Sequence, residues 1–191
     1  MKFDLRKILA AMLAAQVLGP SIVPAAPVGV PTGSFTLVQP MQQFRKLHTA
    51  TLLTDGRVLV VGGQTANRLL GSTEIYDPAT GVWTNTGPLN VERESHTATP
   101  LTSGLVLVAG GFQNISSAEE FDFTSGQWTL TGSMNTQRYQ HTATLLPDGK
   151  VLVTGGLNAT DFLSSAELYD PNTRVWTPTA CSLNRRAYGS G

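Results

Sequence analysis

Residues 45–64 read RKLHTATLLTDGRVLVVGGQ, and the arrangement returns as RESHTATPLTSGLVLVAGGF over 93–112 and RYQHTATLLPDGKVLVTGGL over 138–157. Each time Arg and His stand three places apart, before a Thr-Ala-Thr strand, a turn containing glycine, an unbroken apolar run and two glycines. The markers are Arg45 and His48, Arg93 and His96, Arg138 and His141; the glycines are Gly62 and Gly63, Gly110 and Gly111, Gly155 and Gly156. Farther along come Glu74, Glu119 and Glu167, then Tyr76, Phe121 and Tyr169, then Asp77, Asp122 and Asp170, and finally Trp83, Trp128 and Trp176. Self-similarity at a fixed period decides architecture before any propensity argument does. Successive histidines lie 48 and 45 residues apart, successive tryptophans 45 and 48. The difference has one location: from second glycine to Glu the chain runs 11, 8 and 11 residues. One loop per repeat absorbs the change, as a free surface loop does.

Within each repeat the pattern predicts four short strands. Asp55 and Gly56, Ser103 and Gly104, and Asp148 and Gly149 separate two apolar segments, the chemistry of a tight hairpin turn that needs positive φ. Val58 to Val61, Leu105 to Val108 and Val151 to Val153 are uninterrupted apolar runs. In a strand that means both faces are covered, so the sheets are expected to stack on one another. The glycine pair permits close backbone approach, and Asp77, Pro78, Thr80 and Gly81 supply the turn into the Trp strand.

The Arg, His, Thr, Ala opening, the apolar strand ending in two glycines, the Glu, Tyr, Asp, Pro segment and the Trp together resemble kelch repeats. The resemblance covers about residues 33 to 186 and implies an all-β fold: a partial β-propeller of three blades, each of four antiparallel strands. The blades are expected at 45–89, 90–134 and 135–183. The second copy departs modestly, with Pro100 for the strand Leu and Phe123 for the turn Pro. Phe35 stands 48 residues before Trp83, so one extra outer strand of a preceding blade is expected within 27–44. Arg186 follows Trp176 by ten residues, as Arg138 follows Trp128, so residues 184–191 read as the start of a fourth repeat. Propellers close with about four to eight blades. Either this sequence is a piece of a longer protein, the reading favoured here, or two chains associate to complete a ring.

Lys2, Arg6 and Lys7 precede an apolar run from Ile8 to Leu18, then Pro20 and the small residues to Ala26. That is the order of a secretory signal peptide, expected to span 1–26 and to direct the chain to the periplasm, cell surface or medium. This run of eleven residues, interrupted by Gln16, falls short of the ~20 a membrane-spanning helix requires. Removing residues 1–26 leaves 10 basic and 12 acidic residues, so no positive field is available to hold nucleic acid phosphates. The 191 residues are 41% hydrophobic and 14% charged, enough apolar mass for a core and well under the roughly 25% charged of ordinary domains. Cys181 is the single cysteine, so an internal disulfide is excluded.

Three histidines could suggest zinc or copper. Because His48, His96 and His141 hold one position in three copies, the repeat itself explains them, and Arg45, Arg93 and Arg138 with Glu74, Glu119 and Glu167 read as ion pairs that lock blades. A catalytic acid and base need different surroundings, whereas repeated residues share one. The expectation is no cofactor and no catalytic or metal site. Some kelch propellers, of the galactose oxidase type, are copper enzymes with a tyrosine crosslinked to cysteine; no such ligand set carries over to residues of this sequence. Candidate ligand contacts fall instead in the loops after the glycine pairs: Arg68, then Gln113 and Asn114, then Asn158, Asp161 and Phe162. Asn114 with Ser116, and Asn158 with Thr160, also have glycosylation spacing. The functional expectation is an exported, non-catalytic module that binds a protein or glycan through propeller loops. The alternatives are the propeller part of an extracellular oxidoreductase or carbohydrate-active enzyme, and a structural scaffold.

Overall fold

At the Asp55–Gly56 turn, Gly56 adopts φ +88° and its N–H donates to Leu53 O, while Leu53 N–H donates to Arg57 O, closing the first hairpin. Gly104 and Gly149 do the same at φ +89° and +85°. A computed structural model describes residues 37–179. Twelve strands lie among them: β1 (Thr49–Leu52), β2 (Val58–Val61), β3 (Thr73–Asp77), β4 (Val82–Thr86), β5 (Thr97–Pro100), β6 (Val106–Ala109), β7 (Ala118–Asp122), β8 (Gln127–Leu130), β9 (Thr142–Leu145), β10 (Val151–Thr154), β11 (Ala166–Asp170) and β12 (Val175–Pro178). They form three antiparallel sheets, β1–β4, β5–β8 and β9–β12, each a simple meander. The signal segment, Phe35, Cys181 and residues 184–191 lie outside the described residues. Among the described residues no helix is long and apolar enough to cross a membrane.

Registers repeat from sheet to sheet. Val60 faces Glu74, Val108 faces Glu119 and Val153 faces Glu167, while Tyr76, Phe121 and Tyr169 each face the Trp of the last strand. In each sheet those two aromatic rings sit 4.9 Å apart and tilted. The first strands of neighbouring sheets converge, β1 on β5 and β5 on β9, so the three sheets are blades of a partial β-propeller with their first strands toward the axis. Pro100 ends β5 on that inner edge, where a missing N–H does least harm to the ladder.

Two cores fill the wedges between blades. Leu59, Val61 and Ile75 of the first blade pack on Val106, Val108, Phe121 and Trp128 of the second. Leu107 and Ala109 of the second pack on Val151, Val153, Tyr169 and Trp176 of the third. Each blade thus has a leading face, bearing the aromatic pair, and a trailing face toward the next blade. This explains the unbroken apolar runs: β6 is buried on both faces. β10 instead alternates between buried and half-buried, because among the described residues no sheet covers its trailing face.

The strap joining β4 to β5 crosses against the glycine pair of the preceding blade. Gly63 N–H donates to Arg93 O at 2.8 Å, and a Cβ on Gly62 would sit 2.5 Å from the same oxygen. Gly62 also has φ +58°, so space and backbone both require glycine there.

Candidate functional site

The repeated charged residues form a clasp within each blade. Arg45 Nη1 donates to the carbonyls of Gly62 and Ser72 at 2.7 and 2.9 Å, and its Nη2 donates to Glu74 Oε1 at 2.6 Å. The carboxylate of Glu74 also accepts the backbone N–H groups of Gln42 and Gln43 from the strap before β1. The same set recurs around Arg93 and Glu119, with Gly110, Ser117, Asn90 and Val91, and around Arg138 and Glu167, with Gly155, Ser165, Asn135 and Thr136. All six charged side chains are at most 2% exposed. Burial pushes the Glu167 carboxyl up, but donors from Asn135, Thr136 and Arg138 outweigh it and hold the group below the usual carboxylate range. Buried ions with this many partners are arranged to hold the strap on the third strand of the blade, although Nε of Arg45 and Nε of Arg138 are left without a partner.

His96 and His141 bond across blades. His96 Nε2 lies 2.9 Å from Thr49 Oγ1, and His141 Nε2 lies 2.9 Å from Thr97 Oγ1. Burial, reinforced by Arg93 and the other histidines, drives the His96 pKa down to about 3; burial and then Arg138 take His141 to about 4. Both rings are therefore neutral at physiological pH. Among the described residues no three His, Cys, Asp or Glu side chains are grouped to hold one metal ion.

Two of the three tryptophans tie straps down from the outer edge, whereas the buried Trp128 Nε1 has no partner. Trp83 Nε1 donates to Gln39 O and Trp176 Nε1 to Gly132 O, each at 2.8 Å.

The loops after the glycine pairs leave every blade between its second and third strands, hence at one common end. Arg68, Gln113, Asn114 and Asp161 are exposed there, and Phe162 is 84% exposed. Asn158 instead shapes the loop turn, because its Oδ1 accepts from Thr160 N–H, Thr160 Oγ1 and Asp161 N–H. Gln113 and Asn114 both take positive φ, +70° and +63°, and make the short second loop turn sharply. The six candidates share an end of the molecule but stand on three separate loops.

A second set of residues at that end escaped the repeat comparison. The first residue after each glycine pair meets the residue following the clasp arginine: Gln64 pairs with Lys46, Leu157 with Tyr139, and Phe112 N–H donates to Glu94 O. The phenyl ring of Phe112 then packs edge-on against Tyr139 at 5.2 Å. Glu94 is 5% exposed, its Oε2 has no partner, and burial raises its pKa against the opposing influence of Lys46. The available signal was the variable second letter in R-K-L-H, R-E-S-H and R-Y-Q-H, a changing residue inside a constant frame.

A family model for the kelch motif matches residues 45–90 and 138–181. The solved structure of YjhT is similar in fold, with TM-score 0.64 and 16% sequence identity over 73% of this chain and 53% of that one. The chain thus spans about half the length of that neighbour. No curated protein matches it in sequence. The unmatched middle repeat is the one with Pro100, Phe123 and the short loop, yet it folds to the same four-stranded sheet as its neighbours.

Proposed function

Because the chain belongs to the kelch-repeat β-propeller family, we propose that it is an exported, non-catalytic recognition module that binds a protein or glycan at the loop end of its blades. One observation carries this reading: the repeated Arg and Glu, and two of the three His, are consumed in holding blades and straps, whereas the loops after the glycine pairs, which differ between blades in length and sequence, lie at one end. There the frame presents Lys46, Phe112, Tyr139 and Phe162, a cation and three aromatic rings, on a rigid support that also holds the buried, unpartnered carboxyl oxygen of Glu94. Such a surface binds with little ordering cost, because the sheets have already fixed where its loops begin and end. Export rests on the basic start and eleven-residue apolar run of residues 1–26.

Immobilised oligosaccharides and peptides, probed with the full chain and with its Phe162→Ala and Glu94→Gln variants, test the reading. Binding to one class, weakened tenfold or more by either variant at unchanged thermal stability, is expected. Ligands held equally by all three proteins would remove the loop end as the site. Turnover of a bound sugar, or peroxide release from it, would place the protein among enzymes instead.

A further inference from the structure

Five glutamate side chains are buried among the described residues: Glu74, Glu94, Glu119, Glu120 and Glu167. Four of them hold a guanidinium. Arg45, Arg93 and Arg138 serve Glu74, Glu119 and Glu167 in the clasps, at 2.6, 2.8 and 3.0 Å. The fourth pair crosses the boundary between the second and third blades: Arg174 Nη2 lies 3.0 Å from Glu120 Oε2, while Tyr169 Oη donates to Glu120 Oε1 at 2.8 Å. Arg174 stands at the turn position filled by Gly81 and Gly126 in the other blades, and as a non-glycine residue it holds φ +59°. The third blade thus accepts an unfavourable backbone conformation at a place from which an arginine reaches a buried carboxylate. Glu94 is the fifth, and no arginine of the described residues pairs with it.

Glu94 belongs to a row of three residue pairs at the loop end. Lys46 and Gln64 exchange backbone bonds at 3.0 and 2.9 Å, Tyr139 and Leu157 do the same at 3.0 and 2.9 Å, and Phe112 N–H donates to Glu94 O at 2.9 Å. Residues opposed in this way across antiparallel backbone carry their side chains on one side. Glu94 therefore shares a side with Phe112, whose ring, 42% exposed, meets Tyr139 of the next blade edge-on. Backbone bonds fix the row, because Ser95 N–H donates to Leu47 O and Gln140 N–H to Ser95 O, at 3.0 and 2.9 Å. Within it Glu94 is 5% exposed and its Oε2 is buried without a partner. Lys46, exposed on the preceding blade, favours the ionised carboxyl from a distance but forms no ion pair with it. A buried acceptor without a donor is an unmet demand. A hydroxyl would supply the hydrogen bond alone, whereas a cation also supplies the charge and is attracted by an aromatic face. A guanidinium does all of this at once, since its flat fork of donors can bond a carboxylate while lying along a ring.

We propose that Glu94, beside the Phe112–Tyr139 pair, is a subsite for an arginine side chain presented by a peptide segment of a protein partner. The assignment rests on the loop-end reading above and narrows it from protein or glycan to a basic protein segment. The guanidinium donates to Glu94 Oε2 and lies against the exposed Phe112 ring, supplying from outside what Arg174 supplies to Glu120 from within. Lys46 works against binding, because it stands near the carboxylate as a competing cation.

Two probes test this: Nα-acetyl-arginine amide and its citrulline counterpart, which keeps the shape of the side chain and loses the charge. Each is titrated into the full chain and followed through the backbone amide resonances of Glu94, Phe112 and Tyr139. The arginine probe is expected to shift them saturably, and the citrulline probe to bind at least tenfold more weakly. Glu94→Gln is expected to weaken the arginine probe at least tenfold at an undiminished thermal transition, because it removes a charge that no bond within the fold uses. Lys46→Gln is expected to tighten binding severalfold, a gain that a poorly folded variant would not give. Equal affinity for the two probes, arginine binding unchanged in Glu94→Gln, weaker binding in Lys46→Gln, or no saturable shift in the unaltered chain would each overturn the proposal. The loop-end reading fails separately: an oligosaccharide or acidic peptide that requires Phe162 yet ignores Glu94→Gln would keep the loop end and remove the arginine subsite.

Discussion

His96 Nε2 and Thr49 Oγ1 meet 2.9 Å apart across the boundary between the first and second blades, and the imidazole holds this position uncharged. Because its folded pKa of about 3 lies below the ordinary 6.5, the unfolded chain takes up the proton first as pH falls. Stability is therefore complete above about pH 6.5 and declines towards pH 4, by at most about 1.4 kcal/mol per pH unit for each histidine. His141, at about 4, acts in the same direction. Glu94 opposes them, since a carboxyl raised by burial gains its proton earlier in the folded state. Urea midpoints between pH 7 and 4.5 should fall steeply for the protein as it stands and less for His96→Gln and His141→Gln. Parallel curves would mean that the rings titrate freely.

Glu119→Gln should destabilise by about 3–5 kcal/mol, because it strands the fully buried Arg93 guanidinium. Arg57→Ala removes an ion pair with Asp55 in which both side chains are about one-third exposed, and should cost under about 1 kcal/mol. Chemical denaturation of the two variants side by side reads the contrast. Similar losses would show that burial does not set the strength of these pairs.

Two glycines with similar backbone angles should respond differently to alanine. Gly81, at φ +72° with open space around a Cβ, should lose about 1–2 kcal/mol from conformation alone. Gly62→Ala adds a clash with Arg93 O and should lose several kcal/mol. Thermal melts of both variants check the order, and a milder loss at Gly62 would mean the strap can move aside.

At the second boundary, Tyr169→Phe and Glu120→Ile each leave a buried polar partner unmatched and should each cost about 1–3 kcal/mol. Made together they rebuild the Ile75–Phe121 pairing and should recover most of that loss. A double variant as unstable as the sum of the singles would show that the two residues act independently.

The blades were legible because three copies of one pattern expose whatever is constant: the turn glycines, the clasp charges, the tryptophans. The same comparison hides whatever occurs once. Glu120, Tyr169 and Arg174 form their contact in a single boundary, so repeat averaging records Arg174 only as a lost glycine. The strap amides that bind Glu74, Glu119 and Glu167 leave no side-chain signature, although Gln42, Asn90 and Asn135 stand three places before each clasp arginine. Ser72, Ser117 and Ser165, always two places before the glutamate, are constants that the repeat reading passed over, and the clasp arginine of each blade reaches both their backbone and hydroxyl oxygens. At the loop end, residues such as Lys46 and Glu94 fall at positions where the copies disagree, and disagreement alone does not tell a contact from a solvated side chain.

The clasp has a direction along the chain. Asn90, Val91 and Arg93 leave the ribosome before Glu119, the carboxylate that will hold them. Each strap therefore depends on a carboxylate from the third strand of the blade it enters, and a chain cut before that strand would leave the strap and its arginine unheld.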